Sequence, residues 1–399
     1  YRCDPDLFGV EDTRQIPPLT EIIGQDRALS AIRFGLEMKQ KGYNLYLCGA
    51  EGVGKTSSIR ILFEQIRKTL PVPNDRCYVH NFKEPEAPIH LSFKAGEGRR
   101  FQKDIAQLID DLLDRVPRLF AAEKHKGTAR RLFHELRELE ARRFDHLDAK
   151  IRAEGFTLVR LPGSDTPQIL PLLDGMPVSI EHFDELCLNG SVSREQIRHL
   201  EQVYPQVREA LDDVLEELRE RRERIEEELA SLARTLIRPE LAERIAGFKA
   251  RYPDPKVARY LDALEADILE HLDLFRREVP AEEEDGETEP SLPWQKREEC
   301  LRNYRVNLIV DNGELDGAPV IFDTHPTHEG LFGTIEHTID RSGAQFTDFT
   351  RIRAGTLLKA DGGFLILNVN DLLKENLYDA LRNTLRYMKL EIVDAPTAP

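Results

Sequence analysis

The segment GAEGVGKT, residues 49–56, decides the fold of this chain because it matches G-x-x-x-x-G-K-[ST] at every fixed position. Glycines let backbone N–H groups close around phosphate oxygens, the lysine reaches the β and γ phosphates, and the hydroxyl binds magnesium. Gly49, Gly54, Lys55 and Thr56 supply these groups. The motif predicts a P-loop, also called a Walker A motif, that binds ATP or ADP with Mg²⁺.

The segments on both sides of this motif have the character that a P-loop requires. Residues 43–49, YNLYLCG, form an apolar run that predicts a buried strand, and KTSSIRILFEQIRKTL after the loop has helical i, i+3, i+4 spacing. A strand, a glycine loop and a helix start in this order form an anion site, because the first helical turn has free N–H groups and a favourable dipole. Gly52, Val53 and Ser57 complete the predicted nucleotide-binding loop.

The composition is that of a globular protein and excludes several classes. The chain has 399 residues, 40% of them hydrophobic, so it is long enough for two or three domains with their own cores. With 56 basic and 72 acidic side chains the net charge is −16, which opposes binding to nucleic acid and to anionic membranes. No apolar run is long enough to span a bilayer and no signal peptide opens the chain, so we expect neither a membrane nor a nucleic-acid partner.

The cysteines and the chain ends indicate the cellular context. Five cysteines are scattered singly, which fits neither a disulfide framework nor a Cys-x-x-Cys metal site and points to a reducing, cytoplasmic location. The sequence begins with Tyr1 rather than Met and stops shortly after a helix-like segment. We therefore expect it to be a piece of a longer protein.

The predicted secondary structure changes in character twice along the chain. The three parts are residues 1–95, 96–300 and 301–399. The first part has α/β character, with a second strand predicted at 76–82, after which Pro85 and Pro88 are expected to break the regular structure. The middle part consists of long, charged helices, and the last part returns to strands and helices. The predicted fold class is α/β, a parallel-sheet P-loop domain interrupted by a long helical insertion.

The insertion has the apolar spacing of a coiled coil. Between Leu211 and Leu236 apolar residues recur alternately at four and three positions, interrupted only by Arg222. An earlier segment from Leu132 to Ile151 has similar spacing, so the two helices can pair antiparallel. Between them, two apolar stretches flank a Pro-Gly-Ser-Asp turn, which predicts a small β-hairpin.

The second motif of a P-loop ATPase is incomplete. In that motif an apolar strand ends in Asp, often followed by Glu, and these carboxylates orient the magnesium shell and polarise the attacking water. The candidate strand here is residues 364–367, FLIL, and it is followed by Asn368 and Val369. Asp371 is a candidate substitute, although its place predicts a helix cap. We therefore assign no catalytic residue and expect weak ATP hydrolysis.

Three stretches carry a resemblance to a known family. EIIGQDRALSAIRFGLEMKQKGYNLYLCGAEGVGKT, residues 21–56, resembles the start of the AAA+ module of Lon-like ATP-dependent proteases. VDNGELDGAPVIFDTHPTHEGLFGTIEH and RIRAGTLLKADGGFLILNVNDLL resemble the second half of that module, in the branch whose AAA+ domain is split by a helical insertion. The resemblance covers about residues 15–95 and 300–395. It implies that Ile23 packs beside the adenine.

The resemblance also implies a substrate-gripping element. Leu331, Phe332 and Gly333 match the position of the family's pore loop, an aromatic-aliphatic-glycine element that grips unfolded polypeptide in an axial channel. Here the aliphatic residue precedes the aromatic one, and burial of Phe332 in the core is the alternative. The family further implies a homo-hexameric ring, unfolded or damaged protein substrates, and a Ser-Lys serine protease domain beyond these residues. The expected function is to engage polypeptides and translocate or gate them for degradation.

Two other functional classes stay open at this point. One is a structural-maintenance or DNA-repair ATPase, in which a coiled coil also separates two halves of a nucleotide-binding domain. The missing L-S-G-G-Q stretch, the short coil and the net charge of −16 oppose it. The other is a nucleotide-binding coiled-coil scaffold or chaperone that has no protease domain.

Overall fold

The computed structural model describes residues 9–16, 26–38, 42–50, 54–160, 167–173, 175–179, 193–276, 294–339 and 345–393. The chain divides into two compact units. The first combines Tyr1–Asp110 with Leu292–Pro399, and the second is Asp111–Ser291. The described residues mix helices with small sheets, which confirms the α/β class.

The helices and strands are numbered in chain order. The described helices are α1 (Asp26–Glu37), α2 (Lys55–Arg67), α3 (Glu97–Ala121), α4 (Glu123–Arg152), α5 (Arg194–Arg251), α6 (Pro255–Glu270), α7 (Trp294–Arg302), α8 (His328–Phe332), α9 (Thr356–Lys359), α10 (Val369–Lys374) and α11 (Tyr378–Tyr387). The described strands are β1 (Asp75–Val79), β2 (Ile89–Phe93), β3 (Phe156–Val159), β4 (Gln168–Leu173), β5 (Met176–Pro177), β6 (Val306–Val310), β7 (Val320–Asp323), β8 (Gly333–Ile335), β9 (Thr338–Ile339), β10 (Gln345–Phe346), β11 (Ile352–Ala354) and β12 (Phe364–Leu367).

A three-stranded antiparallel sheet in the first unit has the order β2-β1-β6. The strand predicted at 76–82 is β1. Pro85 and Pro88 interrupt the chain after it as expected, but regular structure resumes at once in β2, which the sequence analysis did not predict. β2 pairs with β1 along its whole length, from Asp75 opposite Phe93 to Val79 opposite Ile89.

The buried side chain of Asp75 connects this sheet to distant parts of the sequence. Its carboxylate accepts hydrogen bonds from the backbone N–H of Gly98 at 2.9 Å and of Asn312 at 2.8 Å. The side-chain amide of Asn312 donates to the carbonyl of Asn74 at 2.9 Å. Because a buried polar group is stable only when it is hydrogen-bonded, these contacts hold together the early and late parts of the first unit.

The strands β7 and β12 form a parallel pair, as the predicted parallel sheet requires, whereas β1 and β6 pair antiparallel, which the prediction of a parallel sheet did not include. Phe364 lies opposite Val320 and Leu367 lies opposite Asp323. Gly363, just before β12, lies so close to the carbonyl of Pro319 that a Cβ atom would collide with it. Two antiparallel pairs, β8 with β11 and β9 with β10, lie in the segment between these strands.

The buried strand predicted at residues 43–49 is wrong, because residues 42–50 have no regular secondary structure. The side chains of Tyr43 and Tyr46 are 46% and 72% exposed. Leu45 packs against Gly35 of α1, where a Cβ atom would collide with its side chain. An apolar run favours contact with apolar partners, but it cannot supply the neighbouring strand that its backbone N–H and C=O groups need.

In the second unit α4 packs along α5. One apolar cluster joins Leu132 and Leu136 of α4 to Ile225 and Leu229 of α5. A second cluster contains residues later in α4 and earlier in α5, namely Leu147, Ile151, Leu200, Val207 and Leu211. Because the numbers rise along one helix as they fall along the other, the two helices run antiparallel.

The segment after α4 returns as a hairpin, in which β3 pairs antiparallel with β4. Asp148 of α4 fixes the start of this hairpin, since its carboxylate accepts from the hydroxyl of Thr157 and the N–H of Leu158, both at 2.8 Å. Burial raises the pKa of Asp148, but the bonds from Leu158 and Thr157 and the nearby Arg152 guanidinium outweigh this effect, and the pKa lies below its usual value. The ionised carboxylate is therefore the form that stabilises the hairpin.

We expect Asp148→Ala to lower the free energy of unfolding by about 2 kcal/mol, because it removes hydrogen bonds to a charged group. The pKa of Asp148 is lower in the folded chain than in the unfolded one. Its contribution is therefore complete above the unfolded pKa of about 3.9 and is lost as the pH falls through the lower folded pKa. Chemical denaturation of the wild type and the variant at neutral and acidic pH measures both effects. Equal stability of the two proteins at neutral pH would contradict the expectation.

None of the helices in the described part of the chain is both long enough and apolar enough to cross a membrane.

Candidate nucleotide site

The P-loop glycine before α2 adopts the conformation that the motif requires. Gly54 precedes the first helical turn with φ 82° and ψ 18°, in the left-handed region that residues with a side chain rarely adopt. The N–H groups of Lys55, Thr56 and Ser57 follow in the first turn, where a helix cannot pair them internally. The side chains of Thr56 and Ser57 are exposed. This geometry suits the binding of an anion.

The side chain of Lys55 folds back over the loop. Its Nζ atom donates hydrogen bonds to the carbonyl oxygens of Gly49 at 2.5 Å and Ala50 at 2.9 Å. These bonds hold the ammonium group at the start of the loop. A phosphate oxygen would compete with the two carbonyls for the same protons, and a hydrogen bond between two charged groups is the stronger one.

Part of the predicted loop lies outside the described residues. Ile23, Gly52 and Val53 fall in this category, so the structure does not bear on the predicted contact between Ile23 and the adenine. The predicted binding residues that the structure describes are Gly49, Gly54, Lys55, Thr56 and Ser57.

The C-terminal end of α2 is fixed just before β7. The backbone N–H of Ala318 donates to the carbonyl of Arg67 at 2.9 Å. The guanidinium of Arg67 pairs with the carboxylate of Asp316 at 2.5 Å, and its hydrogen bond holds the pKa of Asp316 below the usual value. The end of α2 therefore lies at the amino-terminal end of the parallel pair.

Closer to the P-loop, α2 contacts later positions of the same strands. The rings of Phe63 and Phe364 meet edge to face with centroids 4.6 Å apart. The guanidinium of Arg60 lies over the ring of Phe322 at 5.2 Å. As α2 is followed back toward Lys55, its contacts move toward the carboxyl ends of β7 and β12. The helix therefore runs antiparallel to the two strands and directs the P-loop to their carboxyl ends, where ligands bind in open parallel sheets.

The residues at the second-motif positions have structural roles at the end of β12. Asn368 is the N-cap of α10, where its side chain accepts a hydrogen bond from the N–H of Asn370 at 3.0 Å. Val369 is the first residue of that helix. The prediction that Asp371 caps the helix is wrong, because Asn368 takes that position and Asp371 lies in the first turn. An uncharged amide thus stands where the motif has a carboxylate.

A different carboxylate, which was not predicted from the sequence, lies at this edge. Asp323 ends β7 directly opposite Leu367, the last residue of β12. Its side chain accepts from the hydroxyl of Thr356 at 2.8 Å and from the N–H of His325 at 3.3 Å. The sequence carries a signal for it, since APVIFD is also an apolar run that ends in Asp.

The predicted pore-loop residues are buried in the first unit. Leu331 and Phe332, the last two residues of α8, are 0% and 3% exposed. Gly333 has φ 105° and ψ 172°, a conformation that only glycine adopts readily. The side chains of Leu331 and Phe332 belong to an apolar cluster with Leu372, Leu377 and Leu381. All three residues thus have a structural explanation, and their contact with substrate stays a prediction.

Two family profiles match the chain. That of the LonB-like AAA domain matches residues 316–398, which include β7, β12 and the residues around Asn368. That of the Lon-like LonC helical domain matches residues 75–108, which form β1, β2 and the first half of α3. These matches support the assignment of the chain to the Lon-like protease family. No curated protein matches the sequence of this chain.

The similarity to Lon-like proteins gives the site a chemical context. An AAA domain is a nucleotide-binding domain, and its nucleotide is typically bound with Mg²⁺. The P-loop itself lies outside both matched ranges. Its residues nevertheless fit a nucleotide, because Gly54 has the required backbone conformation, Lys55 lies over the loop and the hydroxyl of Thr56 is exposed. Lon-like proteins generally form oligomers and act on protein substrates.

Proposed function

We propose that this chain is the ATP-binding AAA+ module of a Lon-like protease and that it binds ATP or ADP with Mg²⁺ at the P-loop. The observation that carries the proposal is the path of α2, which begins at a left-handed Gly54 and runs antiparallel to β7 and β12. In this arrangement backbone N–H groups, the Lys55 ammonium and the Thr56 hydroxyl meet at one edge of the parallel pair. Such a site binds the phosphates through backbone and lysine and the metal through the hydroxyl.

We further propose that the site holds nucleotide well and hydrolyses it poorly. Asn368 has no charge to orient the magnesium shell, and Val369 cannot polarise a water. Bound nucleotide would then act mainly as a ligand that stabilises the folded, assembled state by mass action.

In the complete protein, this module would form a homo-hexameric ring in the cytoplasm. It would engage unfolded or damaged polypeptides and translocate or gate them toward a Ser-Lys protease domain elsewhere in the protein. The antiparallel helices of the second unit, α4 and α5, would serve as a coiled-coil arm that recognises or gates substrate. The similarity to Lon-like proteins and the long antiparallel pair support these roles.

We expect Lys55→Ala to weaken ATP binding by about 2 kcal/mol or more, about 30-fold, because the variant loses a charge-assisted hydrogen bond to the phosphates. Isothermal titration calorimetry of the 399-residue chain measures this change. Lys68→Ala is the matched control, since Lys68 is an exposed lysine at the other end of α2. Equal affinity of Lys55→Ala and the wild type, or no binding by the wild type, would refute the proposed nucleotide site.

A further inference from the structure

We propose that Asp323 supplies the magnesium-orienting carboxylate that the end of β12 lacks. The inference rests on the proposed nucleotide site and names the acidic residue that works with it. The magnesium-orienting role, which the motif gives to the residue after β12, is assigned instead to the last residue of the parallel neighbour β7. Asp371, which the sequence analysis considered as the substitute, is not assigned this role.

The contacts between α2 and the strands show how far the P-loop lies along the direction of the strands. A helix advances about 1.5 Å per residue and a strand about 3.3 Å. From Arg67 to Phe63 the helix thus advances about 6 Å, and from Ala318 to Val320, which lies opposite Phe364, the strand advances about the same distance. Arg67 contacts Ala318 and Phe63 contacts Phe364. The advance along α2 between these contacts therefore matches the advance along β7.

The same scale places Thr56 beside the end of β7. Arg60 contacts Phe322, and from Arg60 back to Thr56 the helix advances a further 6 Å or about two strand residues. Thr324 is two residues beyond Phe322. The Thr56 hydroxyl therefore lies level with Asp323 and Thr324 along the strand direction. The predicted metal-binding hydroxyl and the carboxylate of Asp323 are therefore at the same edge of the parallel pair.

The surroundings of Asp323 fit a metal-orienting role. The Thr356 hydroxyl and the His325 N–H fix the orientation of its carboxylate, each through one hydrogen bond. A carboxylate accepts about four hydrogen bonds or metal contacts, so two such bonds leave acceptor capacity. Mg²⁺ usually keeps several waters and needs one or two carboxylates in addition to the phosphates. One aspartate with Thr56 satisfies that requirement.

Asp371 has a less suitable place in the fold. It lies three residues beyond Asn368, the residue that follows β12, and within the first turn of α10. Its backbone N–H donates to the carbonyl of Asn368 at 3.2 Å, so the residue belongs to the helix rather than to the edge of the sheet. Asp323, in contrast, is the last residue of its strand.

The test measures how much Mg²⁺ strengthens ATP binding. Calorimetry of the 399-residue chain is done in MgCl₂ and in EDTA for the wild type, Asp323→Asn and Asp371→Asn. We expect Mg²⁺ to tighten binding by the wild type and by Asp371→Asn. Asp323→Asn should lose about tenfold or more of this gain, as expected for the loss of a charged partner, while its affinity in EDTA stays unchanged. The asparagine oxygen can accept from the His325 N–H while its NH₂ group donates to the Thr356 hydroxyl oxygen, so a general loss of structure is not expected.

A second variant restores the carboxylate on the other strand. Asp323→Asn combined with Asn368→Asp should regain the Mg²⁺ effect, which a purely structural role of Asp323 would not allow. If Asp323→Asn does not fold, Asp323→Ser, which also removes the carboxylate, replaces it, and an unchanged Mg²⁺ effect in that variant overturns the assignment.

The outcomes separate the two proposals. If the wild type binds no ATP in either buffer, the nucleotide site fails and Asp323 fails with it. If ATP binds with the full Mg²⁺ effect in Asp323→Asn, only the assignment of Asp323 is overturned. If ATP binds to the wild type without any Mg²⁺ effect, the assignment of Asp323 and the proposed Mg²⁺ site both fail, while the nucleotide site stands. Loss of the effect in Asp371→Asn alone would assign the role to Asp371.

Discussion

The double change Asn368→Asp with Val369→Glu is expected to raise steady-state ATP hydrolysis by about a hundredfold to ten-thousandfold, which is the usual contribution of positioned acid-base groups. It restores the two carboxylates of the second motif at the end of β12. The structure tolerates both changes, because Asp caps a helix as well as Asn does and Glu is favourable in a first helical turn. The measurement is steady-state turnover in the full-length assembly, compared with the wild type.

Two further variants test the interpretation of that result. Asn370→Asp adds a carboxylate to the same turn at an exposed position, and it should leave turnover unchanged. Asp371→Ala removes the residue that the sequence suggested as a substitute. Fast hydrolysis by the wild type that the double change does not increase would show that the proposal of weak turnover is wrong, and loss of that activity in Asp371→Ala would identify the group responsible.

Phe332→Ala is expected to lower the free energy of unfolding by about 3–5 kcal/mol, the usual cost of deleting a buried phenylalanine ring. Phe332 is 3% exposed and packs in the cluster around Leu372, with the ring of His328 5.0 Å away. Chemical denaturation measures the change. Phe346→Ala is the matched control, because Phe346 is 49% exposed and its removal should cost little.

The same pair of variants bears on the pore-loop prediction. Binding of an unfolded polypeptide by the assembled protein is the second measurement. If Phe332→Ala destabilises the fold as expected and leaves this binding unchanged, Phe332 is a core residue and the assignment of a pore loop to 331–333 fails. If the variant loses polypeptide binding without losing stability, the ring must leave the cluster to act in the channel.

The sequence predicted best those features whose cause is local. The start of α2 at Lys55 follows from a glycine that tolerates a left-handed backbone and from the helical spacing after it, and both are visible in a few residues. The prediction of a strand at 43–49 was wrong because a strand needs neighbouring strands to pair with, and these come from distant parts of the chain. The five residues of β2 follow Pro85 and Pro88, which predict a break in regular structure, and five residues are too few to give a strong strand signal of their own.

The same distinction holds within the candidate site. The amino-acid sequence alone shows that position 368 lacks a carboxylate, and it also predicts the helix that begins after it. That Asn368 rather than Asp371 caps the helix depends on where β12 ends, which the sequence fixes only to within a few residues. The position of Asp323 opposite Leu367 depends on the register of two strands that 40 residues separate, and no local pattern specifies that register.

The pairing of β1 with β6 has a consequence for how the protein is made. β2 ends at Phe93 and β6 begins at Val306, so the ribosome must add more than 200 residues before the sheet is complete. At about 5–20 residues per second this takes about 10–40 s. During that time one edge of β1 has no partner, and an unpaired edge invites association with other chains. The speed of synthesis through the second unit therefore determines how long the nascent chain is at risk, and slower translation there would increase aggregation without altering the finished fold.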